Sequence, residues 1–225
     1  ITAAGRGVVN YFTIETLNIN NMHSSAATVT GRGEADVLVA TSNGADSLIY
    51  TLNDGPTVTL SQIGSLQFNA GDGSDLLVVN MAVGKALPSG GIGYDGQGAT
   101  GDSDMLRVSG TSNTAVYRAG VSTGSGTVTV DSVNITFTGL EPVDITGMSQ
   151  VTLQFSGAGD LVTLREGVDF TDGGTHAAVR VTGSTGGTPF ESVALWNNGT
   201  VVVDTVTGGS DGGDTVTLAS ASNAH

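Results

Sequence analysis

Aspartates in glycine-rich turns are the residues whose type and spacing suggest chemistry. They recur in close pairs, such as Asp72 with Asp75 and Asp102 with Asp104. Calcium takes six to eight hard oxygen ligands, and neighbouring carboxylates together with turn carbonyls supply such ligands. The sequence therefore predicts calcium as a cofactor at these turns. The candidate ligands are Asp36, Asp46, Asp72, Asp75, Asp102, Asp104, Asp160, Asp211 and Asp214.

The same aspartates have a second interpretation, which is structural. An aspartate in a glycine turn often accepts hydrogen bonds from nearby backbone amides and tolerates left-handed geometry. Glu15 and Glu141 stand beside strands and could likewise be functional or structural residues. For them we favour the structural role, in which each accepts hydrogen bonds from a turn and fixes the start of a strand. For the aspartates, calcium binding and turn capping both stay open at this stage.

Residues of the common catalytic sites are missing or isolated. The sequence has no cysteine, which excludes a thiolate nucleophile, a disulfide framework and a cysteine zinc site. His23, His176 and His225 do not share a metal-binding spacing. The Gly-x-Ser-x-Gly string at 120–124 lacks the strand-to-helix context of a nucleophile elbow. We therefore expect no catalytic residues and no enzymatic activity.

Carbohydrate binding or cleavage is the alternative function, and it would require an aromatic-lined cleft with carboxylates. Trp196 is the only tryptophan of the chain. Its neighbours Phe190 and Leu195 indicate that it packs in the core rather than serving as a sugar platform. A cleft of aromatic and carboxylate side chains would favour this alternative.

The charge of the chain restricts its partners. Seven basic and 21 acidic residues give a formal net charge of −14, and Lys85 is the only lysine. Such a surface repels nucleic acid and anionic membranes, and no apolar stretch is long enough to span a bilayer. We expect a secreted or cell-surface protein. Because the sequence starts with Ile1 rather than Met, we also expect a piece of a longer protein.

Each glycine-aspartate turn is followed by a short run of β-branched and aliphatic residues. Val37–Ala40 follows Asp36, and Leu76–Asn80 follows Asp75. Many such runs alternate apolar with polar residues, which is typical of strands with one buried face. No window shows a helical period, so the sequence predicts an all-β protein. The glycine-rich segment 88–101 is predicted to be a loop or a wide turn.

Two architectures suit strands of this length and spacing. The repeated order of aspartate and then strand favours a repeat-built parallel β-solenoid, or β-helix. Two antiparallel β-sandwich domains are the alternative, supported by hairpin-like turns at 53–55 and 197–199.

The chain also matches itself over a long interval. The segment starting at Val8 aligns with the segment starting at Asn134, which places Glu15 against Glu141 and Met22 against Met148. We therefore predict two divergent copies of one β repeat, residues 1–125 and 126–225.

The turn pattern resembles two kinds of repeat. Gly-x-Gly-x-Asp followed by apolar residues resembles the hemolysin-type, or repeats-in-toxin, nonapeptide, whose aspartates hold calcium between coils of a parallel β-roll. The phrase Ile-Glu-Thr-Leu-Asn-Ile at 14–19, followed by a glycine-aspartate turn, is similar to repeats of very large secreted or surface proteins of bacteria. This second resemblance implies an adhesin, a matrix fibre or a surface layer.

Together these features predict an extracellular structural protein, a subunit or segment of a surface layer, matrix fibre or adhesin. We expect it to associate with itself into filaments or arrays through strand edges and chain ends. Surface glycans are a further class of partner, whereas nucleic acid and membrane insertion are not expected.

Overall fold

The computed structural model describes residues 2–3, 16–19, 25–97, 101–207 and 212–219. These residues form strands and turns without any helix, which confirms the prediction of an all-β protein. Within this part of the chain, no helix is therefore long and apolar enough to cross a membrane. The strands are β1 (Thr2–Ala3), β2 (Thr16–Ile19), β3 (Ser25–Thr30), β4 (Val37–Gly44), β5 (Ser47–Leu52), β6 (Thr57–Ser61), β7 (Ile63–Asn69), β8 (Leu76–Asn80), β9 (Ile92–Asp95), β10 (Met105–Ser109), β11 (Thr114–Ala119), β12 (Gly126–Val130), β13 (Val133–Thr138), β14 (Val143–Thr146), β15 (Gln150–Gln154), β16 (Leu161–Val168), β17 (Ala177–Thr185), β18 (Thr188–Pro189), β19 (Val193–Trp196), β20 (Thr200–Asp204) and β21 (Thr215–Ala219).

The strands lie in two sheets, and the chain passes repeatedly from one to the other. The first sheet has the order β1-β3-β7-β9-β13-β12-β11-β15-β20. The second has the order β2-β6-β5-β4-β8-β10-β14-β19-β17-β16-β21, with β18 paired to β17. From β7 to β10, for example, consecutive strands belong alternately to the first and second sheets.

Both sheets are mixed. Each contains a block of parallel strands, β3-β7-β9-β13 in the first sheet and β4-β8-β10-β14-β19 in the second. Antiparallel strands interrupt or flank these blocks, namely β4-β5-β6 and β16-β17 in the second sheet and β11-β12-β13 in the first. Among the described strands, neither sheet closes on itself. Because both sheets mix parallel with antiparallel pairings, they do not form a clear parallel solenoid.

One apolar core is contributed by both sheets. Strands such as β6 alternate buried and partly exposed residues, with Val58 and Leu60 pointing inward. The Phe68 and Tyr94 rings stack with centroids 5.3 Å apart. The core continues without a break across the predicted copy boundary, which falls in the turn between the paired strands β11 and β12. The two-copy division stays a prediction, and Glu15 and Met22 lie outside the described residues.

The segment 88–101 was predicted to be a loop, and that prediction is wrong for its middle. Ile92–Asp95 forms β9, which lies between β7 and β13 in the first sheet. Ile92 and Tyr94 are buried and alternate with Gly93 and Asp95. The surrounding glycines hid an alternation that is only four residues long.

Glycine is required where consecutive turns touch each other. Gly73 has φ +117°, and a Cβ atom at this position would lie 2.6 Å from the carbonyl carbon of Glu34 in the preceding turn. The close approach of these two turns brings their aspartates side by side.

Candidate functional site

A row of five acidic residues crosses the second sheet, and we call it the acidic column. Its members each stand one or two residues before a strand of the parallel block. The register of β4, β8, β10, β14 and β19 places them at matching positions of neighbouring strands. Adjacent strands are about 4.8 Å apart, so adjacent acids are close neighbours. The column consists of Asp36, Asp75, Asp104, Glu141 and Glu191.

Hydrogen bonds connect the column from one turn to the next. The Asp36 backbone amide donates to Oδ1 of Asp75 at 2.6 Å, and the Asp75 amide donates to Oδ1 of Asp104 at 2.9 Å. The same contact recurs outside the column, where the Asp160 amide donates to Oδ1 of Asp214 at 2.9 Å. These carboxylates therefore accept the amide of the preceding turn, which is the capping role extended across strands.

Asp36 and Asp75 are both buried, but their environments differ. Burial raises the pKa of Asp36, yet hydrogen bonds outweigh it and leave the pKa lowered: Arg32 donates its backbone amide and guanidinium, and Asn53 donates its side-chain amide. Asp75 has a raised pKa because burial dominates, and the charges of Asp36 and Asp102 add to it against one amide hydrogen bond. Its Oδ2 atom has no partner in the described part of the chain.

Tyr94 carries a second unsatisfied atom beside the column. Its hydroxyl is buried and has no hydrogen-bond partner among the described residues. Burial raises its pKa, and the negative charges of Asp104 and Asp75 raise it further. Buried polar atoms without partners are costly, so the middle of the column is less well satisfied than its Asp36 end.

Glu191 lies at the other end of the column and was not singled out in the sequence. It is buried, and its Oε1 accepts the Gly124 amide at 2.7 Å. Burial raises its pKa to about 7, with a further contribution from the charge of Glu141. The signal that could have found it is the spacing Glu-x-Val, which precedes both β14 and β19.

The candidate calcium ligands are therefore only partly brought together. Asp36, Asp75 and Asp104 share the column, and Asp102 accepts the Gly73 amide beside it. Asp46 and Asp72 are exposed in turns, Asp160 and Asp214 form their own pair, and Asp211 lies outside the described residues. Within the described ranges, no group of three or more acidic, histidine or cysteine side chains is arranged to hold a metal. Calcium binding stays a prediction.

A loop between β16 and β17 is anchored to the second sheet by buried Asp144. This carboxylate accepts the Thr171 amide at 2.8 Å, the Thr171 hydroxyl at 2.6 Å and the Phe170 amide at 3.0 Å. Burial nevertheless leaves the pKa of Asp144 raised. Within the loop, Asp169 accepts three backbone amides. The loop is held in place by backbone hydrogen bonds to carboxylates.

Trp196 follows this loop on the last strand of the parallel block. It is half-buried and stacks on the His176 ring with centroids 3.9 Å apart, so it is not the core residue that its neighbours in the sequence suggested. It borders a cavity of about 500 Å³, which also touches Glu166, Val179 and Val201. The cavity lies at the C-terminal end of the molecule, where β17, β19 and β20 meet.

The same end exposes apolar side chains at positions that are buried elsewhere. β20 and β21 are the last strands of their sheets. Val216 pairs with buried Val162, and Leu218 pairs with Leu164, which packs against the core. Yet Val216 is 47% and Leu218 79% exposed. The inward-facing residues of these terminal strands continue the apolar rows of the neighbouring strands, and in the described part of the chain no further strand covers them.

Comparison with protein-family models, with curated proteins and with solved structures finds no match to this chain.

Proposed function

We propose that this chain is a structural protein of the cell exterior, which assembles by stacking at its ends into a filament, matrix fibre or surface layer. The observation that carries the proposal is the uncovered terminal strand β21. Leu218 and Val216 expose apolar surface on the last strand of the second sheet, and none of the described strands pairs with its outer edge. An edge of this kind pairs readily with another strand.

The proposal includes an interpretation of the fold as a β-solenoid interrupted by hairpins. The chain alternates between the two sheets, and a parallel block lies in each. The acidic column supports this interpretation, because equivalent residues of successive turns stack in a solenoid. In such a fold, the strands of an uncovered terminal turn can pair with those of a turn from another copy, which extends the solenoid.

The energetic reason for assembly is burial of the terminal apolar residues. Burying one Leu or Val side chain fully contributes about 1.5–3 kcal/mol. Backbone hydrogen bonds between the two newly paired strands fix the relative orientation of the two copies. Against it acts the net charge of −14, which keeps copies apart except where their contact surfaces are uncharged.

Light scattering and sedimentation over a range of concentrations test the proposal. We expect oligomers whose mass grows with concentration, and elongated particles in electron micrographs. Leu218→Asp should abolish the growth, because it places a charge in the contact. Val83→Asp is the matched control, since Val83 is 81% exposed in a turn away from both sheet ends. Monomers at every concentration, or equal effects of the two variants, would contradict the proposal.

Calcium at the glycine-aspartate turns belongs to the same proposal. Asp75 Oδ2 has no hydrogen-bond partner among the described residues, and the charges of Asp36 and Asp102 lie nearby. Both observations support calcium there, because a cation would relieve the repulsion. A ligand that binds the native state raises the melting temperature. We expect a higher Tm in millimolar calcium than in chelator, and a smaller difference for Asp102→Asn. Equal melting temperatures would leave the aspartates with their structural role alone.

Carbohydrate binding is a second candidate, favoured by the cavity beside Trp196. It combines an indole ring, the Glu166 carboxylate and aliphatic side chains. Because Trp196 is the only tryptophan, its fluorescence reports directly on this cavity. Titration with neutral oligosaccharides should change the fluorescence if sugars bind there, and Glu166→Gln should weaken the effect. An unchanged spectrum would count against this candidate.

A further inference from the structure

The two edge strands of the second sheet run in the same direction. At one end, β4 and β6 are parallel because two antiparallel pairings separate them, and β2 is parallel to β6. At the other end, two antiparallel pairings separate β19 from β16, and β21 is parallel to β16. Both edges therefore share the direction of the parallel block. A second copy related by translation would meet β21 with a parallel β2.

The inward-facing and outward-facing residues of the two edge strands also alternate in a way that allows them to be paired in register. In β21, Leu218 pairs with Leu164, which packs against the core, and Thr217 is exposed. In β2, Ile19 pairs with buried Leu60, and Asn18 is exposed. A parallel pairing of Leu218 with Ile19 keeps both apolar residues on the core side, whereas a shift by one residue would reverse this.

Charge and sequence order support the same pairing. Neither β2 nor β21 contains a charged residue, so their contact brings no carboxylates together within the strands despite the net charge of −14. In the sequence an acidic residue directly precedes both strands, Glu15 before Thr16 and Asp214 before Thr215. Strands β4, β8 and β10 begin in the same way, and they pair with those acids in register.

The first sheet does not offer this symmetry. Its edge β20 is parallel to β15 and β11, and two antiparallel pairings relate β11 to the block that contains β3. The opposite edge β1 is antiparallel to β3, so β1 and β20 run in opposite directions. In the part of the chain that the structure describes, continuous parallel growth is therefore available in the second sheet alone.

We propose that Thr215–Ala219 of one copy pairs in parallel with Thr16–Ile19 of a second copy, with Leu218 opposite Ile19, so that chains stack head to tail. This inference rests on the proposed function, because it names the partner and the register of the terminal contact. It makes the second sheet continuous from copy to copy.

Engineered cysteines test the pairing cleanly, because the natural chain has none. Directly opposite residues of paired strands have Cα atoms within the range of 4.4–6.8 Å that a disulfide bridges. Asn18→Cys and Thr217→Cys lie at exposed positions that the proposed register places opposite each other. Under mild oxidation, we expect a dimer from the mixture of the two single variants, none from either alone, and a ladder of oligomers from the double variant.

Val121→Cys supplies the control for random collision, since Val121 is 99% exposed in the turn between β11 and β12. Its mixture with Thr217→Cys should give no dimer. A dimer from Thr217→Cys alone would show tail-to-tail contact and overturn the inference. Association in light scattering without the predicted cross-link would overturn it while leaving the proposed function intact. A chain that does not associate at all would remove the proposed function as well.

Discussion

The parallel block of the second sheet and its terminal strand β21 share one sequence pattern but differ in their surroundings. In both, an acid stands one or two residues before a strand that carries aliphatic residues at its inward positions. Leu77 and Leu106 of the block are completely buried, whereas Leu218 of β21 is 79% exposed. Among the strands that the structure describes, those of the block have a neighbour on each side, and β21 has one only on the side of β16. Exposure at this end thus reflects a missing neighbour rather than a different kind of strand.

The largest expected effect comes from truncating the same side chain in the two regions. Leu77→Ala should destabilise the monomer by about 2–5 kcal/mol, because it opens a cavity in a filled core. Leu218→Ala should cost less than about 0.5 kcal/mol when measured at high dilution. Urea unfolding measures both values. Similar losses would mean that the terminal strand already packs like the block.

Glu191 should make stability depend on pH at the β19 end of the column. Its folded pKa of about 7 lies above the ordinary 4.5, so the stability that it contributes is fully present below about pH 4.5 and is lost as the pH rises through 7. The loss amounts to at most about 3 kcal/mol. Unfolding of the wild type and of Glu191→Gln across this range measures the difference.

Glu141→Gln sharpens that experiment, because the charge of Glu141 contributes to the raised pKa of Glu191. We expect this variant to shift the loss of stability to lower pH. If the stability of the wild type and of Glu191→Gln depended on pH in the same way, the pKa of Glu191 would not be raised in the folded protein.

Asp36 and Asp75 should respond in opposite ways to the loss of charge. The lowered pKa of Asp36 means that its charged form stabilises the fold above the ordinary pKa and that this contribution is lost as the pH falls. At pH 7, Asp36→Asn should cost about 1–3 kcal/mol. Asp75→Asn should be neutral or stabilising, because the raised pKa shows that charge is disfavoured there. Denaturant unfolding of both variants compares them, and a larger loss for Asp75→Asn would reverse the assignment.

The smallest expected effect is that of salt on association. With a net charge of −14, two copies repel each other at low ionic strength, and salt screens this repulsion. We expect association to strengthen severalfold between low and moderate salt. Sedimentation at several salt concentrations measures it, and weakening with salt would indicate that ion pairs hold the contact.

Local alternation predicted much of the secondary structure but little of the pairing. Leu76–Asn80 was predicted and is β8, because a short aliphatic run and the preceding glycine-aspartate turn are local signals. The stacking of Asp36 on Asp75 was not predicted, since it depends on a register between residues 39 positions apart. Glu191 was missed although Glu-x-Val recurs at β14 and β19, because its hydrogen bond from the Gly124 amide joins residues 67 positions apart. The whole core sets the register between strands that are distant in the sequence. Local sequence patterns therefore do not predict which residues of such strands are paired.

Hydrogen exchange along β21 tests most directly whether this strand is an interface. An amide on an uncovered edge exchanges quickly, and pairing with another strand protects it. We predict that the peptide covering residues 215–219 becomes protected as the protein concentration rises, while the turn around Val121 does not change. Fast exchange of 215–219 at every concentration would contradict the central claim that this end of the molecule is built to be covered.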